Sequence, residues 1–437
     1  MKNRSNELLR ICYFGTYSME EGYPRNRVII EGLRKNRVEI IECHDDLWRD
    51  TSEKIEGISA GHAKTISRIL LVYVRLIKKF MKVGHYNTII VGYAGHIDIF
   101  LAKILNLFRR KPIIFDAFLS LYDTAVLDRK IVAPGSFKAR LLYLLDRWAC
   151  KMADVVLLDT QAHIDYFVRE FRLPRDKFFA VPVGSALSVI PSQEGIPNSS
   201  PPPILLPQVG EEKGGGGEKR DFLFQVLYFG SYIPLHGVDV ILKAAKILQD
   251  STPPLNPLPQ GEGKKGGEPI SPPLMGGGQG EGDTRIVFTM VGTGQLLLEM
   301  KQLASDLGLK NVNFVDRFVG EEELTRYIRE ADICLGIFGQ TDKAMRVIPC
   351  KVYNCLAMGK PLITGMTPAT EGVLTHMENA FLCKLGDPED LARAILMLKN
   401  DEILSEKIGR NGQECFLNNF SLEAIGKRVQ EVIESVA

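Results

Sequence analysis

The 437-residue sequence has no Cys-x-x-Cys pair among its eight cysteines, which sit mostly inside apolar runs such as Asp332-Ile333-Cys334-Leu335. Buried thiols in a reducing compartment are therefore expected, not a disulfide framework. It has no Asp-x-Asp, and its seven histidines (44, 62, 85, 96, 163, 236 and 376) show no ligand spacing. No catalytic metal is expected. Walker A and Gly-x-Ser-x-Gly signatures are missing too. No apolar run approaches the ~18 residues of a membrane span. The polar start, Met1 to Glu7, leads straight into a strand, so no signal peptide is expected and the cytoplasm is the expected compartment. A net charge of +1 gives no general attraction to polyanions, and nucleic acid is not an expected partner. The charge is unevenly spread, however: residues 1–185 carry a net +9 and the remainder −8.

Two segments stand apart in composition. One holds Ser199-Ser200-Pro201-Pro202-Pro203 and the run Gly214 to Gly217; the other holds Pro253-Pro254 and Pro272-Pro273 among many glycines. Such stretches bury too little apolar surface to offset the entropy of ordering, so surface insertions without function are expected. Without them, strand and helix signals alternate in the α/β manner. The reading is a first Rossmann-like domain over 1–187, a linker over 188–220, and a second Rossmann-like domain over 221–437 with an insert at 251–283. Ligands of such sheets bind beyond the strand carboxyl ends, here in the cleft between the two units.

Three elements of the second half could handle phosphate. In Phe229-Gly230-Ser231-Tyr232-Ile233-Pro234-Leu235-His236-Gly237-Val238, a strand passes through a glycine-bounded loop into a helix. Backbone N–H groups and a helix dipole there favour an anion. Val291-Gly292-Thr293-Gly294 repeats the geometry. In the third element, Lys343 and Arg346 precede Pro349, a helix-starting proline, and Lys351 follows it. Two cations beside a positive helix end repel unless an anion lies between them. A diphosphate clamp is expected at Lys343 and Arg346, the plainer alternative being a solvated charge cluster.

In the first half, Gly15 ends the first strand, where an acceptor could approach closely. His96, Asp116 and Asp123 follow later strand ends and are the candidate acid/base or acceptor-orienting groups, or else helix caps and loop hydrogen bonds. Ile66–Lys82 joins an apolar face to Arg68, Arg75, Lys78, Lys79 and Lys82. It fits either an anionic membrane surface or a packed helix with a basic outer side.

The order "FGSYIPLHGVDVILKAAKIL", "GTG", "DICLGIFG", "KVYNCLAMGKPLIT" and "GDPEDLARAI" resembles the donor half of a family 4 glycosyltransferase. The resemblance implies the GT-B fold, α/β with two Rossmann-like domains facing a cleft, the first for the acceptor and the second for the donor. It implies a final helix, Leu422–Val436, crossing back to the first domain. It also implies a nucleotide-sugar donor, a carbohydrate or lipid-linked acceptor, retention of anomeric configuration and no resident cofactor. A metal-dependent GT-A arrangement has no support without Asp-x-Asp. The chain departs from the family pattern at Ser231 (usually Arg), at His236 (usually Lys), and at Arg346 and Asn354, where an acidic pair is usual. Asn354 could hold ribose, Lys343, Arg346 and Lys351 could supply the displaced charge, and Glu371 could share sugar or ribose recognition. A sugar-nucleotide epimerase of the same fold and a non-catalytic nucleotide-sugar-binding protein are the alternatives. The expected place is the cytoplasm, at the inner face of the membrane if the basic helix docks there.

Overall fold

The computed structural model describes residues 8–19, 24–46, 62–187, 223–251 and 285–436. The linker, nearly all of the insert and the first seven residues lie outside these.

Among the described residues, β-branched and aromatic runs build twelve short strands in two fully parallel sheets of six. The first contains β1 (Arg10–Gly15), β2 (Glu39–His44), β3 (Thr88–Val91), β4 (Ile113–Phe118), β5 (Val155–Leu158) and β6 (Phe178–Ala180), in the order β2-β1-β3-β4-β5-β6. Its helices are α1 (Arg25–Lys35), α2 (His62–Lys82), α3 (Asp98–Leu105), α4 (Phe137–Met152) and α5 (Gln161–Phe171). The second sheet contains β7 (Leu223–Phe229), β8 (Arg285–Val291), β9 (Val312–Val315), β10 (Ile333–Leu335), β11 (Leu362–Gly365) and β12 (Phe381–Cys383), ordered β12-β11-β10-β7-β8-β9. Around it run α6 (Val238–Ser251), α7 (Leu297–Asp306), α8 (Glu321–Glu330), α9 (Cys350–Ala357), α10 (Pro388–Asn400), α11 (Glu402–Asn419) and α12 (Leu422–Glu434).

Parallel strands buried on both faces must be continuously apolar, and β3 and β5 are buried at every residue. Helices α2 to α5 cover one face of the first sheet, sharing a core with Phe14, Val91, Phe115 and Leu158. The other face is covered by α1 and by α12, whose Ile425, Val429 and Ile433 pack with Val28, Ile29 and Leu33. Gly32 and Gly426 let those two helix backbones touch, since a side chain on either would collide with the other helix. The last helix of the chain therefore packs on the first. Six of the cysteines are buried and two half-buried, and no disulfide joins any of them.

Candidate functional site

The strand-to-helix loop after β7 starts at Gly230, with φ at 129°, and ends at Gly237. Its neighbour after β8, Gly292, lies so close that a Cβ there would strike the Gly230 carbonyl. The two glycine turns are stacked, and only glycine permits it. Beyond β10, the strand paired with β7 on its other side, α9 starts after Pro349 and presents Lys351 and Asn354 on one face, three residues apart.

Gly230, Pro349, Lys351 and Asn354 meet at a cavity of about 260 Å³. Its polar lining includes Ser231, His236, Lys351 and Asn354; Phe318, Val319 and Leu324 supply an apolar wall. The first half closes it. Ser185 donates to Asn354 Oδ1 at 2.7 Å, and Arg27 of α1 pairs with Glu321 of α8 at 2.8 Å.

Lys351 is the electrostatic centre of the cavity. Its Nζ lies 3.5 Å from His236 Nδ1 and 3.8 Å above the Tyr228 ring, and the side chain is 4% exposed. Among the described residues no carboxylate bonds to it. Burial alone therefore drives its ammonium well below the ordinary lysine range. His236 is buried beside it, its Nδ1 in contact with the Ser231 carbonyl and the Tyr228 hydroxyl. Burial, reinforced by the Lys351 charge, pushes the imidazole well below its usual value, so it stays neutral. A buried cation without a counter-ion, next to stacked glycine turns and a helix N-terminus, is a receptor for an anion.

The expected clamp is elsewhere. Lys343 and Arg346 do not line the cavity. Lys343 Nζ donates to Thr124 Oγ1 at 2.6 Å, and Arg346 Nη2 donates to Asp123 Oδ1 at 2.7 Å while stacking 4.0 Å over Tyr166. The anion between the two cations is a protein carboxylate on the short π-helical turn Asp123–Asp128. Like charges so close need compensation, and the first half of the chain provides it.

The three acid/base candidates are likewise occupied. Asp116 is wholly buried and receives the Arg25 guanidinium, whose Nη1 donates to the Val181 and Pro182 carbonyls. His96 is buried 3.3 Å from Asp146, and burial lowers its affinity for a proton. Asp123 is the partner of Arg346. None of them faces the cavity. Gly15 packs on Asp98, which accepts from the Thr16 amide and the Tyr73 hydroxyl, and it lies off the cavity as well. Gly237, Gly292 and Gly294 shape the loops from behind. Glu371 is an exposed turn residue that does not reach the lining.

Of the donor-side candidates, Gly230, Ser231, His236, Lys351 and Asn354 are therefore brought together. Arg27, Ser185, Phe318 and Glu321 join them with no local sequence signal: Arg27 and Glu321 are 294 positions apart.

Residues 280–415 match the family described as glycosyl transferases group 1. The amylovoran biosynthesis glycosyltransferase AmsK of Erwinia amylovora is 24% identical over 151 residues, 34% of this chain and 37% of that protein. The lipopolysaccharide core biosynthesis glycosyltransferase LpsD of Rhizobium meliloti is 28% identical over 136 residues, 31% of this chain and 38% of that protein. The match thus spans well under half of each relative's length. Among solved structures, Anabaena Alr3699/HepE in complex with UDP superposes with a TM-score of 0.59 at 14% identity, covering 98% of this chain and 100% of that one. Sucrose-phosphate synthase from Thermosynechococcus elongatus gives 0.58 at 14% identity, covering 98% of each chain. The architecture is the GT-B fold, with the group 1 glycosyl transferase pattern in its second half.

Proposed function

We propose that this chain, whose second half carries the group 1 glycosyl transferase pattern, is a glycosyltransferase that moves a sugar from a nucleoside diphosphate to a hydroxyl acceptor. The observation that carries the reading is Lys351, a buried cation with no carboxylate partner among the described residues, set at the cavity wall beside Gly230 and the start of α9. Breaking the anomeric bond leaves positive charge on the sugar and negative charge on the departing diphosphate. A fixed cation and first-turn helix amides, which have no partner within the helix, stabilise that developing charge more than they stabilise the bound ground state.

Phe318, Val319 and Leu324 offer an apolar wall for a base, and Asn354 a hydrogen-bonding group for ribose. HepE has been solved with UDP-glucose, so uridine diphosphate sugars are the first donors to test. Among the described residues, no carboxylate or imidazole of the first half lines the cavity. The proposed step is therefore attack on the same face as departure, with retention, the leaving phosphate oxygen taking the acceptor's proton. The reading assigns the charge stabilisation to Lys351 and needs neither resident cofactor nor metal. The acceptor is a glycan or lipid-linked precursor, reached in the cytoplasm with the first half in peripheral contact with the membrane.

Titration calorimetry with UDP and with uridine tests the donor site: UDP binding much more tightly supports it, and equal affinities overturn it. Transfer of labelled sugar to a lipid or glycan fraction, with the anomeric configuration read by NMR, tests the reaction.

A further inference from the structure

Between residues 67 and 151 the chain holds fifteen Lys or Arg and five acidic residues, all aspartates. Those five, Asp98, Asp116, Asp123, Asp128 and Asp146, are each no more than 3% exposed. The surface of this stretch is thus cationic. Neighbouring segments bring only two bridging carboxylates to it among the described residues: Asp45, which meets Arg75 and Lys79, and Asp154, near Lys103.

The same surface is unusually apolar. Phe137, Leu141, Leu144 and Trp148 recur at intervals of four, three and four along α4, forming one stripe, and all are exposed, Phe137 by 83%. On α2, Leu70, Leu71, Val74 and Met81 are exposed. Around α3 so are Ile97, Ile104, Leu107 and Phe108, the last by 96%.

These residues share one side of the molecule. The inward faces of the three helices, through Leu76, Phe80, Ile99, Ala102, Ala149 and Cys150, belong to one core on one face of the first sheet. Arg109, in the turn after α3, donates to the Val83 and Gly84 carbonyls at the end of α2, and α3 packs alongside α4. Their outer faces therefore form one layer. Such a contiguous apolar surface in a cationic surround marks an interaction site. A second copy of the chain is a poor occupant, since two like-charged faces would be opposed. Trp148 also has the Lys151 ammonium 4.7 Å from its ring centre, an apolar body with a charged neighbour suited to a lipid interface. Among the described residues no helix is long and apolar enough to cross a bilayer.

We infer that the α2–α3–α4 layer is a docking face for an anionic phospholipid bilayer, entered by Phe108, Phe137 and Trp148 and held by the surrounding lysines and arginines. It deepens the membrane contact proposed above by naming its surface and lipid class, and it rests on none of the donor chemistry.

The test uses the full chain with Trp48→Phe, leaving Trp148 as the only tryptophan. On mixing with phosphatidylcholine–phosphatidylglycerol vesicles, Trp148 emission should shift to the blue and the protein should sediment with them. Binding should weaken about tenfold or more between low and physiological salt. Phe108→Glu with Phe137→Glu should cost about another tenfold or more, because two charges must then enter the acyl boundary. Both side chains project into solvent, so the melting temperature should not move. No sedimentation at low salt, equal binding to pure phosphatidylcholine, or unaltered binding by the double variant would overturn the inference. So would a dimer that the double variant dissolves, since the face would then belong to a second copy. A UDP titration without vesicles keeps the readings apart: lost UDP affinity with intact vesicle binding would sink the donor site and leave this surface standing.

Discussion

The Arg346 guanidinium donates to the Asp123 carboxylate at 2.7 Å, joining residues 223 positions apart from the two halves of the chain. The pair is nearly closed to solvent, with side chains 11% and 1% exposed. Lys343 lies beside it on Thr124. Removing one partner of such a pair leaves an uncompensated buried charge, which costs about 3–5 kcal/mol. Asp123→Ala should therefore lower the melting temperature markedly, whereas Asp123→Leu combined with Arg346→Met should recover most of the loss. A thermal double-mutant cycle measures it. If Asp123→Ala melts with the wild type, the contact does not hold the two halves together.

Arg346 should also be silent toward phosphate. It does not line the cavity, and its charge is already met by Asp123. In molecules that remain folded, Arg346→Ala should change UDP and uridine affinity by the same small factor. A selective loss of UDP affinity in calorimetry would show that the pair opens and Arg346 turns to the ligand.

Asp116 should behave as a structural residue. Its carboxylate is the counter-ion of Arg25, which also ties the carbonyls of Val181 and Pro182 to α1. Asp116→Ala should cost about 3–5 kcal/mol in urea unfolding, by the same argument as for Asp123. Turnover per folded molecule should hold within a few-fold. A loss of several orders of magnitude with unchanged stability would restore Asp116 as a catalytic candidate.

The fold was legible because its main signals are local. Runs such as Ile11–Phe14 and Val226–Phe229 are apolar throughout, glycine follows immediately at Gly15 and Gly230, and helical periodicity comes next. Parallel buried strands need those features, and the two sheets repeat them. Helices α3 to α5 were harder to read, because α4 carries its exposed stripe of Phe137, Leu141, Leu144 and Trp148 as well as its buried one, which blurs the contrast between faces. The site was half legible. Gly230 and His236 stand in a strand–loop–helix pattern, whereas Lys351 and Asn354 were reached through the family resemblance; all four line one cavity. The fate of Lys343 and Arg346 was not legible, because spacing reveals that two cations need an anion but not that Asp123, far away in the chain, supplies it. Arg27, Ser185 and Glu321 enter the site through packing of the two halves, which leaves no local trace in sequence.

The strongest expectation concerns Lys351. Without a carboxylate partner, its ammonium is held well below the ordinary value of 10.5 by burial. The folded state thus binds fewer protons than the unfolded chain between that lowered value and 10.5. Stability should rise with pH through this window, and the penalty is fully present below it. Lys351→Met keeps the side-chain volume and removes the charge, so the ligand-free protein should melt higher at neutral pH and lose part of that pH slope. A diphosphate reverses the balance, because the anion favours the charged amine. Within that pH window UDP binding should then take up a proton, visible as a binding enthalpy that changes with the ionisation enthalpy of the buffer. UDP affinity should fall as pH rises. In Lys351→Met the buffer dependence should vanish, and UDP should lose about 1.5–3 kcal/mol, the range of a hydrogen bond to a charged group, while uridine barely changes. His236 stays neutral throughout and should not mimic the effect: His236→Gln should retain the proton uptake. If Lys351→Met weakens UDP and uridine alike, or binding in the wild type takes up no proton within that pH window, Lys351 does not receive the diphosphate.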